Sequence, residues 1–305
     1  MAKHASTIPL LLSSFLPATT IITLNYRLAP IPSPHVFPVP IFDTLKAFDY
    51  IASPSSPHND GHTPRLSLYG SHIGGLLATT VALTEPTAIH SLAVSEPLVD
   101  WVSLDENQEE NSTKSSTTRR KAKTPTPSSL PDPTRLLSIR SKLFRTSETY
   151  FDAFASPILF LRAPGRDCPS ENPNPFLNPS PAAQVFAPYD GDDDFQTDTF
   201  TTSYQAPRRR KILRRWPPNT TTPTLPPPTR VYVRDTLGSE AGVLRTQGEE
   251  LVEMMRRACF YGREKGVGEA RVQLQKMVDI PESEVEGIVG VKEAAMWLAE
   301  KFAEH

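Results

Sequence analysis

One stretch of this chain has the residue types and spacing that acyl-transfer chemistry uses. It is RLSLYGSHIGGLLA, Arg65 to Ala78. A strand that ends in a Gly-rich turn and passes straight into a helix can hold a nucleophile at the apex of the turn, as in G-x-S-x-G. Glycines flank the apex because the strained turn leaves no room for Cβ atoms. Here the frame falls on Gly70-Ser71-His72-Ile73-Gly74, with Gly75 following. The apex residue is therefore His72, and Ser71 stands one position early, where the turn directs it away from the apex. As a nucleophile or base at a helix N-terminus, the His72 imidazole would be kept neutral. Otherwise it simply fills the turn, its ring bonded to nearby backbone. Asp235 follows the apolar run RVYV and is the candidate carboxylate, because active-site acids sit at strand C-termini in open α/β sheets; the bland alternative is a solvated loop Asp.

The elements that would position these residues fall into two halves of one core. In residues 1–102, Ile8–Phe15 reads as a helix and Thr20–Leu24 as a short buried strand. A helix over 41–52 follows, with Ile41, Leu45, Phe48 and Ala52 on one face. Arg65–Tyr69 is the strand entering the turn, Leu76–Leu83 the apolar helix leaving it, and Ile89–Val94 the next strand. Such alternation implies a mostly parallel sheet with helices on both faces. In residues 230–305, Arg230–Val233 and Val272–Val278 extend that sheet, and helices over 244–260 and 291–302 cover it.

Residues 103–229 interrupt the core as a lid-like insertion. Within it, stretches near 105–134, 163–183 and 216–229 are poor in apolar residues or rich in proline and are expected to be disordered. Leu136–Leu161 carries enough apolar surface to dock as helices. Asp100 and Trp101, after the third strand, lie near the same sheet edge; Trp101 could line a pocket or pack in the core.

Composition narrows the partners. The chain of 305 residues has 32 Lys and Arg against 34 Asp and Glu, a net charge of −2, which supplies no field for nucleic acid. Two cysteines, Cys168 and Cys259, cannot form a disulfide framework, and this favours a reducing, cytoplasmic setting. The alternative is secretion through the apolar stretch near Ile8–Pro17 acting as a signal. No stretch is long enough for a membrane span. The basic run Arg208–Arg215 and the acidic cluster Asp190, Asp192, Asp193, Asp194 lie close enough to neutralise each other. The cluster lacks the spacing of a calcium loop, so no metal and no cofactor are expected.

Three motifs in order carry a resemblance to a known family. NYRLAP (Asn25–Pro30), followed by Phe37-Pro38 and a helix containing Asp43, resembles the YRLAPE…FP…D signature of the α/β-hydrolase fold-3 proteins, the hormone-sensitive-lipase-like esterases. SEPLVDW (Ser95–Trp101) sits where that family returns from its next strand, and Leu244–Ala258 resembles its DPLRDEG helix. The resemblance implies an α/β-hydrolase sheet lacking its first strands and a pocket for a small-molecule ligand or ester substrate.

It also implies a triad that this sequence does not supply. The residues before Asn25 contain no glycine, so the HGGG oxyanion motif has no counterpart. The family acid aligns with Gly242, beside Val243. The family base would fall around 279–290, yet no histidine occurs between His90 and His305. Hydrolysis by Ser, His and carboxylate needs all three in contact. The reading is thus a degenerate fold-3 homologue, non-catalytic or weakly active. Plant gibberellin receptors, by the same resemblance, show that such a scaffold can lose its His and bind a small molecule. The alternative is an active carboxylic-ester hydrolase rearranged around Ser71, His72 and Asp235.

Overall fold

The computed structural model describes residues 7–58, 64–105, 133–163, 216, 224–235, 240–259, 266–278 and 284–304. The basic run, the acidic cluster and Cys168 lie outside the described residues, as does nearly all of 105–134.

The centre is a four-stranded parallel sheet in the order β1 (Leu66–Ser71), β2 (Ile89–Ser95), β3 (Thr229–Arg234), β4 (Val272–Met277). β2 and β3 are buried on both faces along their centres, where Leu92-Ala93-Val94 and Val231-Tyr232-Val233 are consecutive apolar residues. β1 forms one edge and is only half-buried. A small antiparallel pair, β5 (Glu284–Val285) and β6 (Ile288–Val289), lies apart from the main sheet.

Helices cover both faces. On one side lie α1 (Thr7–Phe15) and α9 (Val291–Ala303); Leu16, just past α1, and Leu298 pack with Ala93 and Tyr232. On the other lie α2 (Val39–Ala52), α3 (His72–Thr84) and α7 (Glu240–Cys259), whose Phe48, Val81, Leu251 and Met255 pack with Leu92, Val94 and Val231. Leu92, Ala93 and Val94 thus alternate between the two layers, as the two-residue period of a strand demands. A short helix, α8 (Val267–Arg271), leads into β4. Among the described residues no helix is long and apolar enough to cross a membrane.

The helices expected between 136 and 161 form as α4 (Thr134–Leu143), α5 (Ser147–Tyr150) and α6 (Ile158–Leu161). α6 is buried in the main core. Trp101 is fully buried, edge-on to Phe144 at 5.2 Å, and so is core rather than pocket. Asp100 is also buried; it accepts from the Val102 and Ser103 amides and pairs with Arg162 at 2.5 Å.

Two expectations need correction. Thr20–Leu24 is not a strand: the segment has no regular secondary structure, and no backbone hydrogen bond joins it to β1 among the described residues. Its sequence favours a strand, but among the described residues no strand pairs with it. Trp216, expected from its proline-rich surroundings to be disordered, is buried and donates its indole N–H to the Leu83 carbonyl at 2.9 Å. Residues 224–228 likewise lead directly into β3, with Leu225 against the core.

Candidate functional site around His72

β1 ends at Ser71 and α3 begins at His72 with no intervening residue. Such an abrupt reversal requires the backbone of the strand end to lie against the first turn of the helix. A Cβ on Gly70 would sit 2.3 Å from the Gly74 carbonyl oxygen, and one on Gly75 would sit 3.0 Å from Pro97 Cβ. Gly74 is different: the nearest atom to its added Cβ is the Tyr26 hydroxyl at 3.8 Å. Two of the three glycines are therefore demanded by close approach. His72 itself takes φ +48°, the left-handed conformation that β-carbon-bearing residues avoid. The apex geometry of a nucleophile elbow is retained, with a histidine at its tip.

The motif segment NYRLAP sits beneath this turn. The Arg27 guanidinium grips Asp43 of α2 through Nε and Nη2, at 3.0 and 2.7 Å, and the Arg27 amide donates to the same carboxylate at 2.9 Å. These hydrogen bonds hold the Asp43 carboxyl at about 2, below its ordinary 3.8. Burial pushes the Tyr26 phenol up. Arginine and aspartate in this signature fasten the loop to the helix.

Above the turn lies a cavity of about 490 Å³. Its apolar wall includes Ile73, Leu98, Leu136, Ile139 and Leu244, and its polar groups are His72, Glu96, Arg135 and Arg234. Glu96 follows β2, has φ +43°, and its side chain is 3% exposed. Its carboxylate lies 3.8 Å from His72 Nε2 and 3.4 Å from Arg234 Nε. Arg234, the last residue of β3, also donates to the Gly287 carbonyl at 2.6 Å and faces Glu284 at 3.4 Å. The His72 ring is 42% exposed toward the cavity. A buried carboxylate beside a half-exposed imidazole can orient the ring and balance a positive charge on it.

The three residues singled out by sequence are not brought together. Ser71 caps α3 in extended conformation (φ −127°) and lines a second cavity, on the far side of the turn. Asp235 turns away from the site: half-exposed, it pairs with Arg245 at 2.8 Å. Arg245 also holds Glu249 at 3.1 Å, and Lys276 reaches Glu249 at 2.7 Å. Burial opposes ionisation of Glu249, but the hydrogen bonds from Lys276 and Arg245 overcome it and lower its pKa. Asp235 is thus part of a surface ion network and not a partner of His72.

Gly242 lies in the first turns of α7, and the stretch implied for the family base contributes Gly287 to the cavity rim. Sequence reasoning missed Glu96 and Arg234. The criterion that selected Asp235, an acid closing a buried strand, applies equally to Glu96 after Ile89–Ser95. Among the described residues no group of three His, Cys, Asp or Glu could hold a metal ion.

A parallel sheet with helices on both faces, and a strand-to-helix elbow at the C-terminal end of β1, are the features of an α/β-hydrolase fold. Residues 14–156 match a family described as alpha/beta hydrolase fold. The matched stretch is a little under half of the chain and contains NYRLAP, the elbow and SEPLVDW, the motifs that resemble the α/β-hydrolase fold-3 proteins. An esterase of Pyrobaculum calidifontis is similar in structure, with a TM-score of 0.53 at 14% identity, covering 98% of this chain and 72% of its own. Carboxyl esterase 2 of the mycorrhizal fungus Tuber melanosporum gives 0.52 at 13%, covering 97% and 71%. A thermostable carboxylesterase cloned from a metagenomic library gives 0.51 at 15%, covering 95% and 71%. At such identities the likeness is one of fold. A comparison with curated proteins finds no match.

Proposed function

We propose that this chain is a fold-3 homologue that binds a small molecule in the cavity above His72 and hydrolyses esters weakly or not at all. The observation that carries the proposal is the exchange at the elbow: the apex facing the cavity is His72, while the adjacent hydroxyl, Ser71, opens onto the other side of the turn. A serine hydroxyl without an imidazole to take its proton remains protonated near neutrality, and loss of the triad leaves only the contribution of binding and oxyanion donors, ~10³–10⁴-fold over water. The cavity suits a ligand with an apolar body and one anionic or hydrogen-bond-accepting head, which His72, Arg135 and Arg234 would meet.

Hydrolysis of p-nitrophenyl acetate and butyrate is expected not to exceed that of His72→Ala, and a fluorophosphonate probe is expected to leave the protein unlabelled. Labelling at Ser71 would overturn this reading. Restoring serine by His72→Ser is expected not to rescue turnover, since among the described residues no other histidine lines the cavity. Thermal stabilisation by a short carboxylate such as hexanoate, without turnover of its esters, supports the binding role.

A second reading rests on the His72–Glu96 contact at 3.8 Å. There the imidazole takes a proton from water as the water attacks an ester carbonyl, and Glu96 balances the imidazolium. Its signature is slow p-nitrophenyl butyrate hydrolysis lost equally in His72→Ala and Glu96→Gln.

A further inference from the structure

At the other end of the sheet from His72, a recess of about 390 Å³ opens where β3 and β4 begin. Its walls are the first residues of those strands, the short helix α8 that leads into β4, and the last turns of α9. Thr229 lines this recess and Arg234 lines the His72 cavity. These two residues end β3 on opposite sides, about 16 Å apart at the rise of an extended chain, so the sites are separate. The charged groups of the recess are Arg230, Arg271 and Lys301 against Glu300. Nothing in the elbow chemistry uses them.

Arg230 and Gln273 are register partners across β3 and β4, and the guanidinium donates to Gln273 Oε1 through both Nε and Nη2. The same guanidinium lies over the ring of the buried Trp297, 5.1 Å from its centroid. Both contacts are with neutral groups. They fix where the charge sits without balancing it, and among the described residues no carboxylate pairs with Arg230. Arg271 donates to the Pro226 carbonyl, which sets a second guanidinium in the same recess. Lys301 reaches Glu304, so its charge is already met. A half-buried cation resting on neutral acceptors bears a desolvation cost that an anion in the recess would offset. Guanidiniums present paired donors in a planar fork that fits phosphoryl oxygens, and two of them suit a head carrying two negative charges. Pro228, Val267 and Ala270 add apolar surface beside the cations. The volume is that of a site for a small organic molecule rather than for a bare ion.

We infer that this recess binds a small organic phosphomonoester, its phosphoryl oxygens meeting Arg230 and Arg271 and its organic body lying against Pro228, Val267 and Ala270. The site is independent of whether the His72 cavity supports catalysis.

The test is calorimetric titration of the full chain with phenyl phosphate at constant ionic strength and a pH near 7.5, where a phosphomonoester is doubly charged. Inorganic phosphate and the monoanion benzenesulfonate are the comparison probes. Saturable binding of phenyl phosphate is expected, at least threefold tighter than inorganic phosphate and at least tenfold tighter than benzenesulfonate. Arg230→Gln is expected to weaken it at least tenfold. Ala270→Glu, at an exposed position of the recess, removes no contact of either guanidinium but adds a carboxylate, and is expected to do the same. Arg135→Gln, at the His72 cavity, is expected to change it less than twofold. Urea unfolding without ligand shows that each variant is folded. No binding of phenyl phosphate, or binding indifferent to both Arg230→Gln and Ala270→Glu, would overturn the inference. Loss in Arg135→Gln alone would move the phosphate to the His72 cavity and overturn it equally. Affinity no better than that of inorganic phosphate would remove the organic body from the assignment, and affinity no better than that of benzenesulfonate would remove the second charge.

Discussion

Beneath the elbow, Gly70, Gly75 and Pro97 are packed at contact distance and the Arg27–Asp43 clamp holds the motif loop in place. Above it, His72 is 42% exposed over an open cavity, with its Nε2 3.8 Å from the Glu96 carboxylate. The underside is governed by packing, which fails if one carbon atom is added. The apex side chain faces the cavity, where a ligand or substrate would meet it. The backbone geometry of the turn is thus fixed by its glycines, separately from the side chain that it presents.

Alanine at the three elbow glycines gives the strongest way to break this contrast. Gly70→Ala places a carbon 2.3 Å from a backbone oxygen that cannot swing aside, so a loss of ~3 kcal/mol or more is expected. Gly75→Ala meets Pro97 at 3.0 Å; part of the strain is offset by the better helix propensity of alanine, leaving a net loss of ~1 kcal/mol. Gly74→Ala, with open space to 3.8 Å, is expected to be neutral or to gain ~0.5 kcal/mol. Urea unfolding of the three proteins checks the order. If Gly70 and Gly74 proved equally tolerant, the underside would not be the rigid element described.

At the apex the expected effects are smaller and of opposite character. His72 holds φ +48°, where any residue bearing a Cβ pays ~1 kcal/mol or more. His72→Gly is therefore expected to be more stable than His72→Ala by ~1 kcal/mol, read as a difference in denaturation midpoint at unchanged m. A glycine variant no more stable than the alanine variant would mean that the ring's contacts, and not the backbone, fix the turn.

Much of this was legible beforehand. The elements of the sheet are apolar runs of the right length, and β1, β2, β3, β4, α2, α3, α7 and α9 lie where the periodicity places them. The Gly70–Gly75 frame located the turn because its spacing is a steric requirement. What was not legible depended on partners. Thr20–Leu24 has strand-like residues, but pairing needs a neighbouring edge, which no local pattern reports. At the end of β3, alternation sends successive side chains to opposite sides. Arg234 therefore enters the cavity and Asp235 joins Arg245 outside it, a distinction that requires knowing which face carries the site. Trp216 was misjudged because its prolines describe the chain around it, whereas burial of an indole depends on a groove built by α3 and the core.

The Arg27–Asp43 clamp gives the subtlest probe of the underside. Hydrogen bonds from the Arg27 guanidinium and amide hold the Asp43 carboxyl at about 2, against 3.8 when unconstrained. The unfolded chain therefore takes up this proton first as the solution is acidified. The clamp's contribution is complete above pH ~4 and disappears as the pH falls through ~2. Asp43 lies near the surface, so solvent screens the interaction and the effect is modest. Asp43→Asn is expected to be less stable than the parent at pH 5 and to converge with it near pH 2, measured by urea unfolding across that range. Parallel stability curves with a constant gap would mean that the carboxylate's charge plays no part, and that the motif arginine is held by shape alone.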